Sequence, residues 1–365
     1  MLFESHRIIT RYVIREYLKI FALSLSSLIF IYVIVLFFQK LNVFVKYDAP
    51  IYLIFEYIPY KIPEVMFQWT LPYAVLLATL LTLGMLSRHS ELTAMKAGGI
   101  SLYRIVLPLL FLALVVSFCA FLGNEYLVPY TNQKTQYVLD VKVRGEEQLG
   151  FFKDYKIWYR SDRHIINIQL VDVQEKILKG VTLYGFDDQF QCVQRIDVKE
   201  AKWVDHTWQF HDGVVRDFGP NGSVKITPFK EMEFPLKETW DSFQNLERQS
   251  REMSYSELRT YVDRIKAAGY DARRYLVDLH SKQSYPLLNL IMVLIGVPFA
   301  LKTGRSGGVA LSIGISVIIG FVYGVTYYVF LSFGKSGVLS PLLACWIPTV
   351  LFALAGVFTI MSVRQ

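Results

Sequence analysis

Two serine-glycine strings carry the most suggestive chemistry in the chain. Gly304-Arg305-Ser306-Gly307-Gly308 has the G-x-S-x-G spacing of a nucleophile elbow, where a strained strand-to-helix turn lifts a serine hydroxyl toward a histidine base. Gly334-Lys335-Ser336-Gly337 has the serine-between-glycines form used in intramembrane proteolysis, and its Gly-Lys-Ser could also end a phosphate-binding loop. Neither string has its partners. No histidine follows His280, and the glycine that a phosphate loop needs five residues before Gly334 is Val329. The first string reads as a cytoplasmic turn and the second as a loop at a helix end. The histidines show no metal-ligand spacing beyond the pair His206 and His211, and Cys119, Cys192 and Cys345 form neither a disulfide framework nor a metal set, so no metal is expected.

A third string offers mechanical rather than covalent chemistry. Within Arg88 to Gly99, Ser90 can cap a short helix and Gly98-Gly99 can end it. Leu92 and Met95, three apart, would then form an apolar knob with the carboxylate of Glu91 beside it, which suits docking into a groove on a cytosolic partner. A loop helix lying on the membrane surface fits the same residues equally well.

The elements that must position these strings are membrane helices. Of the 365 residues, 53% are hydrophobic and 19% charged, with a mean hydropathy of +0.34, too apolar for an ordinary soluble domain. Charges avoid six windows: Ile20–Phe38, Val65–Ser87, Ile105–Asn124, Gln283–Leu301, Ser306–Gly334 and Ser336–Val363. Each is long enough to cross a hydrocarbon core of roughly 30 Å as a helix. Arg7, Arg11, Arg15, Lys19, Arg88, Lys96, Arg104, Lys302, Arg305 and Arg364 fall on one side, against Lys40, Lys46, Lys61 and Lys335 on the other. Retention of Lys and Arg in the cytoplasm puts both termini and the Glu91 string there. The first apolar window is too long for a cleavable signal peptide and is expected to stay as a helix.

Between the third and fourth windows, Glu125 to Lys282 holds most of the charge, with 24 basic and 25 acidic residues. This balance excludes nucleic acid as the reason for the pI of about 9.1 and places a water-exposed domain outside the membrane. Lys156–Tyr159, His164–Leu170, Val181–Phe186, Gln191–Val198, Thr207–Phe210 and Val214–Phe218 read as strands, with turns at Phe186–Gln189, Val204–Thr207 and Gly219–Gly222. The expected fold is a polytopic α-helical membrane protein with six transmembrane helices, three plus three, around an all-β, jellyroll-like periplasmic domain. The expected divisions are 1–133 for the first three helices, with the cytoplasmic helix at 88–97, then 134–250 for the β-domain and 251–365 for a linker helix and the last three. The linker helix opens at Ser254-Tyr255-Ser256-Glu257, which has capping-box spacing, and ends near Gly269.

Three further groups are candidates for binding. Lys40, Lys46 and Lys61 near the outer ends of the first two helices, and Lys134, Lys142 and Arg144 beyond the third, lie at a depth suited to phosphate head groups; as snorkelling anchors they would need no ligand. Ser312, Gly314, Ser316, Gly320 and Gly324 give the fifth helix a small-residue face, fit for packing within the chain or against another subunit. The six windows hold no ionisable residue, so a secondary lipid transporter, which would mark its ion path there, is the weaker of the transport readings. An intramembrane serine hydrolase at Ser306 or Ser336 is the other alternative.

At Leu81 to Ile105, LTLGMLSRHSELTAMKAGGISLYRI, the chain resembles the coupling-helix region of the LptF/LptG lipopolysaccharide export permeases. GYDARRYLVDLHSKQSYP (Gly269 to Pro286) and GVPFALKTGRSGG (Gly296 to Gly308) are similar to the G-type rather than the F-type subunit, and Arg11-Tyr12 is shared by both. The resemblance covers essentially the whole chain. It implies a Gram-negative inner-membrane ABC exporter in which this non-catalytic subunit pairs with an LptF-like permease. An LptB-like ATPase dimer would use ATP and Mg, none of it bound here, and an LptC-like protein would receive lipopolysaccharide from the β-jellyroll. Glu91 would match the family's coupling glutamate, with Leu92 and Met95 as its apolar neighbours. Where relatives can carry a cavity-facing lysine late in the first helix, Leu36 stands here, which passes head-group recognition to other cations.

Overall fold

The computed structural model describes residues 2–145, 150–153, 156–161, 163–172, 175–187, 189–204, 207–219, 222–236, 240, 253–267, 269–303 and 309–362. In chain order the elements are α1 (Leu2–Lys46), α2 (Tyr52–Val65), α3 (Leu71–Arg88), α4 (Glu91–Ala97), α5 (Leu102–Leu122) and α6 (Val128–Tyr137). Then come β1 (Gly150–Lys153), β2 (Lys156–Ser161), β3 (His164–Asp172), β4 (Ile177–Phe186), β5 (Cys192–Val204), β6 (Thr207–Phe218) and β7 (Val224–Phe234). The chain continues through α7 (Tyr255–Ala267), α8 (Arg273–Ser284), α9 (Leu288–Thr303), α10 (Val309–Lys335) and α11 (Pro341–Met361). They form two compact units, one of residues 1–138 with 272–365, the other of residues 139–271.

Among the described residues six helices are long and apolar enough to cross a membrane: Ile8–Lys46, Tyr52–Arg88, Leu102–Val143, Arg273–Leu301, Ala310–Lys335 and Pro341–Met361. The second and fourth are the structural core, with 72% and 67% of their apolar stretches buried, because α3 and α9 pack together through Val75, Leu76, Leu80 and Leu83 with Met292, Val293 and Val297. The first is 11% buried and the fifth 22%, so their apolar faces are left for lipid or another chain. The first helix also runs well past its charge-free window: 45 residues at 1.5 Å each is about 68 Å, more than twice a hydrocarbon core. The second span reaches similar length by inserting a widened turn, Met66–Thr70, whose Thr70 hydroxyl donates to the Val65 carbonyl at 3.0 Å and satisfies a backbone group that the turn frees.

In the second unit the strands follow one another in a single antiparallel sheet, β1 to β7 in chain order. Alternation sets one face inward: Ile166 pairs with Leu183 and Leu183 with Ile196, while Val181 pairs with Val198 and Ala201 with Phe210. Their side chains pack with Trp208 and Trp240 in one buried cluster. The sheet's ends, β1 and β7, are not paired with each other among the described residues, so the observed object is an antiparallel sheet rather than a closed barrel. The expected turn at Asp187 forms as its carboxylate accepts from Gln189 N at 3.0 Å and Gln191 N at 2.8 Å. His206 of the histidine pair lies outside the described residues; His211 Nδ1 stands 3.5 Å from Glu231 Oε1 on β7, a cross-strand contact.

The capping box forms as its spacing requires: Ser254 N donates to Glu257 Oε2 at 2.8 Å and Glu257 N to Ser254 Oγ at 3.2 Å. The helix it opens, α7, buries Leu258, Val262 and Ile265, and Tyr261 Oη reaches the Gln169 carbonyl on β3 at 3.5 Å. α7 therefore belongs to the sheet unit, whereas the sequence grouped it with the returning membrane part.

On the sheet's other face Asp197 collects Thr182 Oγ1 and Arg195 Nη2, each at 2.9 Å, and an ion pair with Arg216. Partial burial works to raise its pKa, but these donors and positive charges outweigh it and hold the carboxyl below its usual 3.8. A lowered folded-state pKa gives stability that is present above the unfolded value and lost as pH falls through the folded one. Asp197→Asn is thus expected to cost about 1 kcal/mol at neutral pH, the half-exposed arginines reducing the pair's worth. The gap from wild type should close below pH 3.8, as tryptophan-monitored melting of the full chain would record.

Candidate functional site

The helix carrying Glu91 is α4, seven residues between the second and third spans. Its start differs from the expectation: Ser90 sits at φ 60°, in the left-handed region, and its side chain caps nothing. Its end is built as the two glycines suggested. Gly99 takes φ +83°, Gly99 N donates to Lys96 O at 2.9 Å, and Ile100 N donates to Met95 O at 3.0 Å, the paired reversed bonds that close a helix at a left-handed residue. Buried Ile100 then lies in the same apolar cluster against which Met95 packs.

The apolar knob is not where the sequence placed it. Leu92 is 5% exposed and belongs to the membrane unit's own core cluster with Val13, Tyr17 and Leu86, and Met95 is half-buried against that cluster. Leu92 anchors α4 to its own chain and is not presented to a partner. What faces outward is Ser90, Thr93, Ala94 and Ala97, at helical spacing and all exposed, with half-buried Glu91 at the margin. The Glu91 carboxylate also has a partner that its own string could not reveal: Tyr12 Oη donates to Oε2 at 2.8 Å, from 79 positions away.

The six cations divide by what already holds them. Lys40 Nζ lies 5.7 Å from the centre of the Tyr57 ring on α2, Lys46 5.6 Å from Tyr47, and Lys134 5.9 Å from Tyr130, each an ammonium over an aromatic face. Lys61 is ion-paired with Glu64 and Arg144 with Asp140, the latter at 3.1 Å. Lys142 and Arg144 fall in the other compact unit. Between α1 and α2 lies an open apolar cleft of about 340 Å³, lined by Val33, Ile34, Phe37, Phe38, Phe55, Ile58 and Pro59. Lys40 stands over an α2 ring beyond the Phe38 end of the lining, and Lys61 lies within electrostatic reach of Tyr32, beside its Val33 end. Leu36 is 3% exposed and absent from that lining, so its position faces the protein interior.

The small-residue face of the fifth span packs inside the chain. A side chain at Gly320 would run into the Tyr73 ring, Gly324 lies against the same tyrosine's hydroxyl, and Ser312 Oγ stands opposite Gly84, all on the second span. Ser316 is buried and caps back onto Ile313 O at 2.7 Å, and only Gly314 opens outward. The second serine-glycine string gains no catalytic partner among the described residues. Residues 304–308 lie outside the described residues. Lys335 is ion-paired with Asp278 at 2.7 Å, and the Ser336 hydroxyl donates to the Phe333 carbonyl at 3.1 Å. Among the described residues no three His, Cys, Asp or Glu side chains are grouped so as to hold a metal.

Residues 11–362 match the family described as lipopolysaccharide export system permease LptF/LptG. Lipopolysaccharide export system permease protein LptG of Escherichia coli strain K12 is 24% identical over 296 residues, 80% of each chain. LptG of Haemophilus influenzae is 23% identical over 271 residues, 71% of this chain and 70% of that one. The LptF protein of Escherichia coli K12 is 33% identical over 136 residues, 36% of each.

Proposed function

From the premise that the chain belongs to the LptF/LptG family of lipopolysaccharide export permeases, we propose that it is the G-type subunit and that α4 is where a cytosolic ATPase drives it. The protein is a non-catalytic, multi-pass permease subunit of ABC-type lipopolysaccharide export in the inner membrane, with its β-domain in the periplasm. The G-type reading rests on the length over which the LptG proteins align, against about a third of the chain for LptF.

The observation that carries the coupling role is α4 itself: a short helix locked to its own membrane core by Leu92, showing small side chains outward and one oriented carboxylate at the rim. Small residues allow close seating in a groove, and a carboxylate there suits an arginine or lysine of the ATPase. ATP and Mg belong to that partner, an LptB-like dimer. An LptF-like subunit would cover the open faces of the first and fifth spans. Lipid acyl chains suit the cleft beside Phe37, Phe38 and Phe55, and phosphates suit Lys40, Lys46, Lys134, Lys61 and Arg144, of which Lys61 and Arg144 must first leave their carboxylates. Lys142, at the end of the third span and in the other unit, is a separate candidate. The periplasmic sheet would fold over the lipid as a jellyroll-like groove, its inward face apolar, and hand it to an LptC-like module.

Orientation follows from the excess of basic residues at the α4 side. Cysteines placed at Thr93 are expected to react only with a reagent admitted to the cytoplasm, and at Asp187 only with one confined to the periplasm. Reversed labelling would sink the coupling reading, since α4 and the sheet would exchange compartments. Purification from native membranes tests the assembly: an ATPase and a second permease should accompany the wild-type chain. Recovery of the chain alone, with export driven by a proton gradient, would favour a secondary lipid transporter.

A further inference from the structure

The carboxylate assigned to the ATPase is already held from within the chain. α4 packs against α3, and Leu92 sits in a cluster that includes Val13 and Tyr17 of α1. The residue before Val13, Tyr12, sends its hydroxyl to Glu91 Oε2 at 2.8 Å. Membership of one apolar cluster and one charge-assisted hydrogen bond therefore link α4 to α1. The neighbouring carboxylate on α1, Glu16, pairs with Lys19 at 3.0 Å, and the Tyr12 hydroxyl is seated on Glu91.

An ionised carboxylate has about four acceptor positions on its two oxygens, so a single tyrosine donor leaves Oε1 and part of Oε2 for an incoming cation. A glutamate on a solvent-facing helix otherwise samples several rotamers, and fixing one in advance removes an ordering cost from the encounter. α1 is also the span least buried within its own chain, with 11% of its apolar stretch covered, so this chain's own packing resists its displacement least. We infer that Tyr12 is a positioning residue for energy coupling: its hydroxyl aims the Glu91 carboxylate and delivers displacement of α4 directly to α1. This rests on the proposed contact between Glu91 and the ATPase. A tyrosine that merely helps α1 to fold would lack any dependence on Glu91.

The test uses the complete transporter reconstituted in liposomes, reading lipopolysaccharide released per ATP hydrolysed for wild type, Tyr12→Phe, Glu91→Ala and the double variant. Tyr12→Phe should keep the ATPase bound and hydrolysing, yet lower the lipid-to-ATP ratio about fivefold, the scale of one hydrogen bond. In the Glu91→Ala background it should change nothing more, since the bond's acceptor is gone. In the Glu91→Gln background, where an acceptor oxygen remains, Tyr12→Phe should again reduce the ratio. A wild-type ratio in Tyr12→Phe, with Glu91→Ala uncoupled, would overturn the positioning role and leave the coupling reading intact. An equal loss in both backgrounds would mark Tyr12 as structural. Wild-type export by Glu91→Ala would remove the coupling reading and this inference together.

Discussion

Glu91→Lys is expected to stop lipopolysaccharide release from the reconstituted complex while the ATPase remains bound. The substitution has two effects at one point. It removes the acceptor for the Tyr12 hydroxyl, and it places an ammonium where a carboxylate is proposed to receive a cation of the ATPase. Leaving one member of a desolvated charge pair unpaired costs about 2 to 5 kcal/mol, and like-charge contact adds to that. Export should therefore fall by more than tenfold, well below Glu91→Gln, which keeps a neutral acceptor oxygen for Tyr12. Membrane insertion should be unchanged, because Glu91 is outside every apolar window and α4 stays fastened by Leu92. Co-purification measures retention, and lipid release per ATP measures coupling. Wild-type export by Glu91→Lys with the ATPase bound would make α4 a bystander.

The six spans were legible because apolar length is a one-dimensional quantity: a charge-free run long enough to cross a bilayer has few other uses. Their true ends were not, since α1 continues as helix through Arg11, Arg15, Lys40 and Lys46, and charged residues are good helix formers once outside hydrocarbon. Strand reading succeeded where alternation was clean, as in His164–Leu170. It failed at β7, where Pro228 and a run of lysines and glutamates hide an edge strand paired, among the described residues, with β6 alone. β6 itself read as two strands because Asp212 and Gly213 interrupt the pattern. Asp212 takes φ 51° there and the register skips it, yet pairing resumes on both sides.

Local chemistry at the candidate site was legible in the same uneven way. Capping signals lie within four residues of one another, and those of α7 and the glycine end of α4 formed as written. Ser90 did not cap: in the tight passage from α3 to α4 it sits in the left-handed region, and its side chain makes no capping hydrogen bond. Which face of α4 is buried depends on α1 and α3, and a seven-residue helix has too little periodicity to announce it. The Tyr12–Glu91 bond joins positions 79 apart, a distance over which one sequence holds no pairing signal. The fifth span's small residues gave the groove but not its occupant, which is Tyr73 of the same chain.

The burial of Leu92 gives the second large expectation and separates it from the first. Leu92→Asp would place a carboxylate at a site 5% exposed in the apolar cluster that holds Val13, Leu86 and Ile100. An unpaired buried charge costs several kcal/mol, more than a helix of seven residues can absorb from its own hydrogen bonds. α4 should therefore leave its seat rather than bury the charge, taking Glu91 from Tyr12 as it goes. Leu92→Ala, which removes packing without adding charge, should cost about 2 to 5 kcal/mol and loosen α4 only in part. A cysteine at Met95, half-covered in the folded protein, reports the difference: its labelling should rise sharply with Leu92→Asp, modestly with Leu92→Ala, and not at all with Glu91→Lys. Export would fail in both charged variants, but for different reasons, one with α4 seated and mis-signalling, the other with α4 detached. Slow Met95 labelling in Leu92→Asp together with intact export would mean that Leu92 reaches solvent or a partner after all, as the bare sequence suggested.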